Sequence, residues 1–582
     1  MCQLNKVYRL LKILCLIKLI MLAGSAYALD GGTLRLNTFN GWQAFEVISQ
    51  TDNPANDGFN YGMPGIFDGA GAWLVDPATL RVIINHETSD AAISEVDLDL
   101  VELQAAISNM IASGNTGGGS FVDSARQAYD RWSANGGTSW VATENNVNTS
   151  FRRFCSGQSY APNTFGEGRG FVDEIYITGE ETSGGRLFAI DSTKRDLYQS
   201  SGTVGNALGG IGGMPFDAWE NAALLDTGES EHVALMLSPD GGTRTLRLYI
   251  GEKNKDASGA VSSRFLARNG LAYGSWYYLK ANFPTLNNSN NGSFDIVALG
   301  ALSSDKLEDV DTSPSDPSRA VLADQTSGVF TFDFDLIFSN GFDASSSSFS
   351  IITVSDNSGG INSLNAPDNI DWTDATTLAG TSYPDGLIFV NEDNSSGEIW
   401  RMLPDGSDRI LLANTTANSE STGIVDISTM LAYQPGSILI TNNQGFPSSA
   451  SVLINPNASL APPPVDELAQ CQLANDALML AQEGLLDQLD QSILENDSCN
   501  QDLVLAEDEN ETLSLDNALL NGEVESLQST IDELIGMQDS DADGVPDSDD
   551  RCPNTWKYAR RVSADGCARY QRVWWRFSKY YK

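Results

Sequence analysis

The sequence predicts a mainly β protein in three parts: a large β domain, a long α-helical coiled coil, and a small calcium-binding loop. Three observations carry this. From about Gly31 to Pro456 the chain is rich in Gly, Asn and Ser and breaks into short β-favouring runs separated by turn signals. From Leu468 to Leu534 a single heptad phase holds without a break. Between Asp539 and Asp550, aspartates alternate as they do in calcium loops.

The first 28 residues read as a signal peptide. Lys6, Arg9 and Lys12 form a basic start, an apolar stretch interrupted by Lys18 follows, and Ala26-Tyr27-Ala28 supplies an A-x-A cleavage signal. That stretch is too short and too poorly flanked for a comfortable membrane span, and no later segment reaches about 18 consecutive apolar residues. There is no twin arginine and no lipobox cysteine. The expected location is therefore outside the cytoplasm: periplasm, outer cell envelope or extracellular space.

The formal net charge of −43 argues against a nucleic-acid partner, because phosphate backbones need a basic surface. Divalent cations are the natural counterions. With 41% hydrophobic residues, the chain can bury one large core or several smaller ones.

Residues 29–456 hold the β domain. Runs such as "LRLNTF", "LRVIIN", "DEIYITG", "RLFAID", "HVALMLS", "TLRLYIG", "SWYYLKA", "GLIFVNE" and "SILITNN" read as strands. So many short strands suggest a sandwich, barrel or propeller. Two helical insertions are expected, over Val96–Ala112 and near Phe121–Trp132. A stiff Pro-rich linker, 457–467, then leads to the coiled coil, 468–537.

In the coiled coil the a positions are Leu468, Asn475, Gln482, Leu489, Asn496, Leu503, Asn510, Asn517, Val524 and Ile531. The d positions run from Cys471 to Leu534. Asn at a favours register and low oligomer number over stability. Cys471 and Cys499 both occupy d and lie about 42 Å apart along one helix, so each would face its twin in a parallel dimer. Against assembly, Asp466–Asp550 carries 24 Asp plus Glu and no Lys or Arg, so pairing needs salt, calcium or a basic partner. A single solvated acidic helix is the other reading.

The loop "DSDADGVPDSDDRCPNT" offers Asp539, Asp541, Asp543, Asp547 and Asp550 as carboxylates, Gly544 for the sharp turn and the Val545 carbonyl. It resembles the thrombospondin type 3 repeat over residues 538–567, and that resemblance implies a disulfide between Cys552 and Cys567. The last residues, 568–582, are basic and aromatic. They suit contact with an anionic membrane surface, the acidic stalk, or nothing.

Chemistry is then sought in the β domain. It has no G-x-S-x-G, P-loop or H-E-x-x-H, and its only histidines are His86 and His232. Carboxylates recur at strand ends instead: Glu87, Glu180, Glu181, Glu220, Asp226, Glu229, Glu252, Asp368, Glu392, Asp393 and Glu420. Each alone reads most simply as a solvated turn. Gathered at one mouth of a propeller they would make a site for hard cations. Cys155, between arginines and a Ser-Gly turn, is the one cysteine between Asp30 and Gln470.

The ordered motifs NHE (85–87), RFCSG (153–157), ITGEE (177–181), GGRLFAID (184–191), ENAALLDTG (220–228), LYIGEKN (248–254), FLARNGL (265–271), GSWYYL (274–279), PDNIDW (367–372) and ESTG (420–423) resemble the PhoX family of bacterial alkaline phosphatases. The resemblance spans roughly residues 71–445. It implies a six-bladed β-propeller with an iron and calcium cluster that hydrolyses phosphate esters. Cys155 would be an iron ligand, with Glu87, Glu180, Glu181, Glu220, Glu252, Asp368 and Glu420 as metal ligands. Lys253 would contact phosphate, and Arg152, Arg153 or Arg401 would be the phosphate-binding arginine. The flanking arginines would favour the Cys155 thiolate. Members of that family typically carry a twin-arginine signal, whereas the signal here has the general secretory form.

Two functions follow from different classes. One is an exported metal-dependent phosphatase on an oligomeric stalk. The other is a non-catalytic, calcium-binding envelope or adhesion protein that uses the propeller as a scaffold, with Cys155 a buried inert thiol.

Overall fold

Strands covered on both faces favour apolar residues along most of their length, and Trp219–Leu225 is buried throughout, with Glu220 and Asn221 its polar exceptions. Such strands dominate the computed structural model of the protein, which describes residues 34–52, 61–117, 121–143, 151–200, 216–357, 364–416, 418–461 and 507–536, with Val545, Asp549 and Ala564 besides. The chain divides into one unit ending at Leu460 and a second beginning at Ala461.

The first unit is a ring of six blades, a β-propeller, antiparallel throughout except where Arg131–Ser133 pairs parallel with Asp196–Gln199 in blade 2. The inner strands of its blades, in chain order, are Phe67–Asp76, Phe154–Tyr160, Trp219–Leu225, Leu307–Thr312, Pro367–Trp372 and Ser421–Asp426. Each packs against the inner strand before and after it, and the sixth packs against the first, so the ring closes. Blades 3 and 4 share an outer strand, Ser289–Asp295, which pairs with Gly274–Lys280 on one side and Ser348–Asp356 on the other. Leu36–Thr38 forms the outer edge of blade 5 and Gln43–Ser49 that of blade 6, tying the chain's start to its last two sheets. Apolar layers between blades form the core, such as the one joining Trp219, Leu235 and Tyr249 to Ile177 and Leu187.

All six inner strands carry one extra residue at the same level. Their registers with the neighbouring strand shift at Phe67/Ala70, between Phe154 and Gly157 opposite Thr178/Glu180, at Trp219/Asn221, at Leu307/Val310, at Pro367/Ile370 and at Thr422/Ile424. The residues at these bulges are Asp68-Gly69, Cys155-Ser156, Glu220-Asn221, Glu308-Asp309, Asp368-Asn369 and Thr422-Gly423. A bulge bends a strand and re-aims its side chains.

The second residues of the pairs in blades 2 to 6 build a hydrogen-bonded belt. Asn369 Nδ2 of blade 5 donates to Ser156 Oγ of blade 2 at 2.7 Å, straight across the ring, and its Oδ1 accepts from Gly423 N at 2.7 Å. Asn221 Nδ2 donates to Asp309 Oδ1, whose other oxygen accepts from Ile370 N at 3.1 Å. Blades 6, 1 and 2 approach too closely for side chains here. A Cβ on Gly69 would lie 2.4 Å from the Cys155 carbonyl oxygen, and one on Gly423, at φ +46°, 2.2 Å from that of Asp68.

Both helical expectations near blade 1 need correction. Val96–Asp99 belongs to the strand Ala92–Asp99, and the helix is Leu100–Ser113. Asp99 sets the boundary, since its Oδ1 accepts from Val101 N and Glu102 N at 2.9 Å each and so caps the first turn. Phe121–Trp132 is no helix: Val122–Gln127 pairs with Ala92–Asp99, and Arg131–Ser133 edges blade 2. Sheet pairing overrides local propensity in both cases.

In the second unit the helix Glu507–Gly536 covers the end of the heptad segment. Leu519, Leu520, Val524 and Leu527 are exposed on it. Residues 468–506, with Cys471 and Cys499, lie outside the described residues. So do the signal peptide, Asp539, Asp541, Asp543, Asp547, Asp550, Cys552, Cys567 and the basic tail; of the calcium-loop set only Val545 is described, and it is buried. No helix of the described residues is long and apolar enough to cross a membrane.

Removing the Asn369 side chain should show how much the belt contributes. Asn369→Ala strips two buried hydrogen bonds and leaves Gly423 N–H without a partner, so a loss of about 2–4 kcal/mol in unfolding free energy is expected by denaturant titration. A change below about 0.5 kcal/mol would show that the bond across the ring is dispensable.

Candidate metal centre

The first residue of each bulge pair explains the mouth of the ring. Asp68, Cys155, Glu220, Glu308 and Asp368 come from five blades to one buried place, joined by Glu87 and Glu181 from the loops above. They form three overlapping groups whose donor atoms lie within 4.8 Å of one another: Asp68, Glu87 and Cys155; Cys155, Glu181 and Glu220; and Glu220, Glu308 and Asp368. Blade 6 offers Thr422 at this level, and Thr422 Oγ1 donates to the Phe67 carbonyl instead. Glu420 supplies its carboxyl from the loop just before, hydrogen-bonded to Asp393 and near Asp368 and Asp68.

Six carboxylates and a thiol so placed cannot all be charged without cations. Burial, then Glu87, Asp368 and Glu220, push the Asp68 carboxyl up. Burial and Asp240 take Glu220 to about 7, burial and Glu220 take Glu181 to about 10, and burial with the Asp393 bond takes Glu420 to about 12. The Cys155 thiol, 3.5 Å from Asp68 Oδ2, is also pushed up, by burial first and then by Asp68, Glu220, Glu87 and Glu181. The expectation that neighbouring arginines make it a thiolate is thus corrected: in the bare protein burial, and after it the surrounding acids, favour the neutral thiol.

The bare acids are also underpartnered. Asp68 Oδ1, Glu220 Oε2 and Asp368 Oδ1 are buried with no hydrogen-bond donor. Buried carboxylate oxygens without donors in a native fold are met by a proton, a water or an ion, and a cluster of them suits an ion. The donor set, several carboxylates with one soft sulfur, fits hard divalent cations together with a metal that accepts thiolate.

Two side-chain cations stand at this mouth among the described residues. Arg153, at φ +48°, turns its guanidinium to bridge Glu87 and Glu181, 2.5 Å from Glu181 Oε2, with half its side chain exposed. Lys306 reaches Asp240 and Glu308. Gln444 Nε2 donates to Asp68 Oδ2 at 2.9 Å and Glu87 Oε2 at 3.1 Å.

Other candidates from the sequence stand apart. Glu180 grips Arg186 with both oxygens at 2.6 Å and accepts Arg152 N at 3.0 Å, so it positions the Cys155 loop and has no oxygen to spare. Glu252 pairs with Lys255 at a part-exposed strand end. Lys253 Nζ donates to the Gly168 carbonyl at 2.7 Å, the Arg152 side chain is exposed, and Arg401 pairs with Asp408. His86 is buried, held neutral with its pKa lowered to about 3, and bonded to Ser94; His232 packs at a tilt against Phe338. Asp68, Glu308, Asp240, Lys306 and Gln444 escaped the sequence reading. For Asp68 and Glu308 a signal was present: a five-fold repeat of an apolar residue, an acid or thiol, then a small or polar residue, FDG, FCS, WEN, LED and PDN, with STG in the sixth blade.

No protein-family model matches the chain, and no curated protein matches it. Among solved structures it is similar to PhoX of Pseudomonas fluorescens in complex with vanadate, a transition state analogue, at 13% identity and a TM-score of 0.47, covering 72% of this chain and 96% of that one. It is also similar to the α-L-arabinofuranosidase Arb93A from Fusarium graminearum in complex with an iminosugar inhibitor, at 12% identity and TM-score 0.32, covering 72% and 98%. The Dos1 propeller follows at 9% identity and TM-score 0.29, covering 72% and 95%. Likenesses this distant leave the chemistry of the mouth to the side chains it contains.

An acid pair beside the mouth yields a pH prediction. Glu392 hydrogen-bonds Glu398, and burial, then that bond, raises its pKa from 4.5 to about 8. The folded state keeps a proton that the unfolded chain releases above pH 4.5, so this stabilisation is complete below about 4.5 and lost as pH rises through 8. Glu392→Gln supplies a permanent donor. In chelator it should flatten the fall in melting temperature between pH 5 and 8 and gain up to a few kcal/mol at pH 8.5; a parallel wild-type profile would refute the shared proton.

Proposed function

We propose that the chain is an exported, metal-dependent alkaline phosphatase of the PhoX type, with calcium and iron in the mouth of a six-bladed propeller. The observation that carries it is the convergence of Cys155 with six carboxylates, three of them with donor-less buried oxygens. The ordered motifs shared with that family supply the reaction class. Bound there, the ions would supply Lewis-acid polarisation of a phosphoryl group and acidify a water. That chemistry needs no side-chain nucleophile, in keeping with two histidines held elsewhere.

The protein's own residues bind and orient. Asp68, Glu87, Cys155, Glu181, Glu220, Glu308 and Asp368 would hold the ions, with Glu420 beside them. Carboxylates suit calcium, and a thiolate among them suits iron. Arg153 is the arginine best placed for phosphate. Its guanidinium is half exposed over the acids, and a planar donor set matches two phosphoryl oxygens. The belt below the acids, closed by Asn369 and Ser156, leaves the substrate one side of approach.

Purified mature protein loaded with iron and calcium should hydrolyse p-nitrophenyl phosphate at alkaline pH. Cys155→Ala should abolish this, and Arg153→Ala should lower kcat/KM roughly 10- to 100-fold, mainly through KM. Calcium alone bound, with no hydrolysis in the loaded wild type, would instead favour the scaffold reading.

We further propose that the acidic helical segment joins chains in parallel. The heptad phase and the exposed Leu520, Val524 and Leu527 on Glu507–Gly536 support this. A covalent dimer is expected on non-reducing gels and should vanish in the double variant Cys471→Ser/Cys499→Ser. A monomer throughout would refute parallel pairing.

A further inference from the structure

Lys306 sits where a metal ion would be expected. Its Nζ lies 2.7 Å from Asp240 Oδ2 and 2.9 Å from Glu308 Oε1. Both carboxylates are deeply buried, Asp240 being 1% and Glu308 3% exposed. No donor other than the lysine reaches Glu308 Oε1, Asp240 Oδ1 is buried without a donor in the bare protein, and the Asp240 carboxyl lies against that of Glu181. Glu308 belongs to the ligand group with Glu220 and Asp368, and Glu181 to the group with Cys155 and Glu220. The ammonium therefore joins two of the three groups at their outer corner.

A pair of buried carboxylates requires a compensating charge. Calcium would meet that need with six to eight oxygens, waters among them; an ammonium needs only three acceptors. Its stem enters from the surface, where the side chain is 32% exposed, so the charge arrives without a coordination sphere to complete. The oxygen contacts, at 2.7 and 2.9 Å, are only a few tenths of an ångström longer than calcium–oxygen distances.

We propose that Lys306 is a built-in cation of the metal centre: it takes the place of one ion between Asp240 and Glu308, and so sets how many metals the mouth accepts. This rests on the reading of the mouth as a metal centre. In wild type, Asp240 would then bind the lysine and no metal, and removal of the ammonium would open a calcium site.

The test counts ions on the full mature chain. Chelator-treated wild type, Lys306→Met, Lys306→Arg and Asp240→Asn are titrated with calcium chloride by calorimetry, and bound metal is measured by mass spectrometry after gel filtration. Lys306→Met should bind one calcium per chain more than wild type, and Lys306→Arg and Asp240→Asn the same number as wild type. An unchanged count in Lys306→Met, an extra ion in Lys306→Arg, or the loss of one ion in Asp240→Asn would overturn the proposal. If Lys306→Met cannot be recovered folded, the Asp240→Asn count decides alone. A wild type that binds no cation would sink the metal-centre reading and this proposal with it, whereas a wild type that binds cations beside an unchanged count in Lys306→Met would sink this proposal alone.

Discussion

One extra residue in each of six inner strands governs the rest of this molecule. A regular strand places alternate side chains on opposite faces, and an innermost propeller strand would leave its polar residues to clash or to be buried singly. The bulge breaks that alternation at a common level, so neighbouring residues do different work. The first, in five of six blades, is a donor aimed at the mouth. The second ties its blade to others, as Asn369 ties blade 5 to blades 2 and 6. Site and closure are therefore the same local distortion repeated around the ring.

The cost of this arrangement is electrostatic. Asp68, Cys155, Glu181, Glu220, Glu308 and Asp368 all resist ionisation in the bare protein, chiefly through burial. Arg153 and Lys306 offset part of the charge from the rim, each bridging two acids. Their placement differs in a way that suits different tasks. Arg153 is half exposed on a left-handed backbone position, open to an incoming anion, whereas Lys306 is committed to two deeply buried partners.

Sequence patterning made the outer strands legible and the inner ones nearly invisible. "LRVIIN", "HVALMLS" and "SILITNN" are dense in β-branched and aliphatic residues and appear as Thr79–His86, His232–Pro239 and Ile438–Asn443. The inner strands carry acids, amides and glycines at their bulges, which read as turns. For this reason nothing in "DKLEDVD" or "GIFDGAG" alone marks Glu308 or Asp68 out from ordinary solvated residues. Cys155, Glu87, Glu181, Glu220 and Asp368 were found through ordered motifs, while Glu180 and Glu252 shared those motifs and turned out to be held by Arg186 and Lys255. A motif fixes which residues stand together in the chain; whether a carboxylate keeps a free oxygen depends on a partner several residues away. The helix misplaced by four residues had its own marker in Asp99, whose cap was hidden within an apparently continuous amphipathic stretch.

The pairing of Leu36–Thr38 with blade 5 and of Gln43–Ser49 with blade 6 bears on how the protein comes into being. The outer edges of the last two sheets are supplied by the first residues of the domain, so neither sheet is complete until the chain from Ile410 to Ile454 has emerged to meet them. Asp68 and Asp368 likewise stay far apart until blade 6 docks on blade 1. A nascent chain therefore offers isolated carboxylates of ordinary affinity and no trap for a cation. The candidate metal centre exists only in the finished ring.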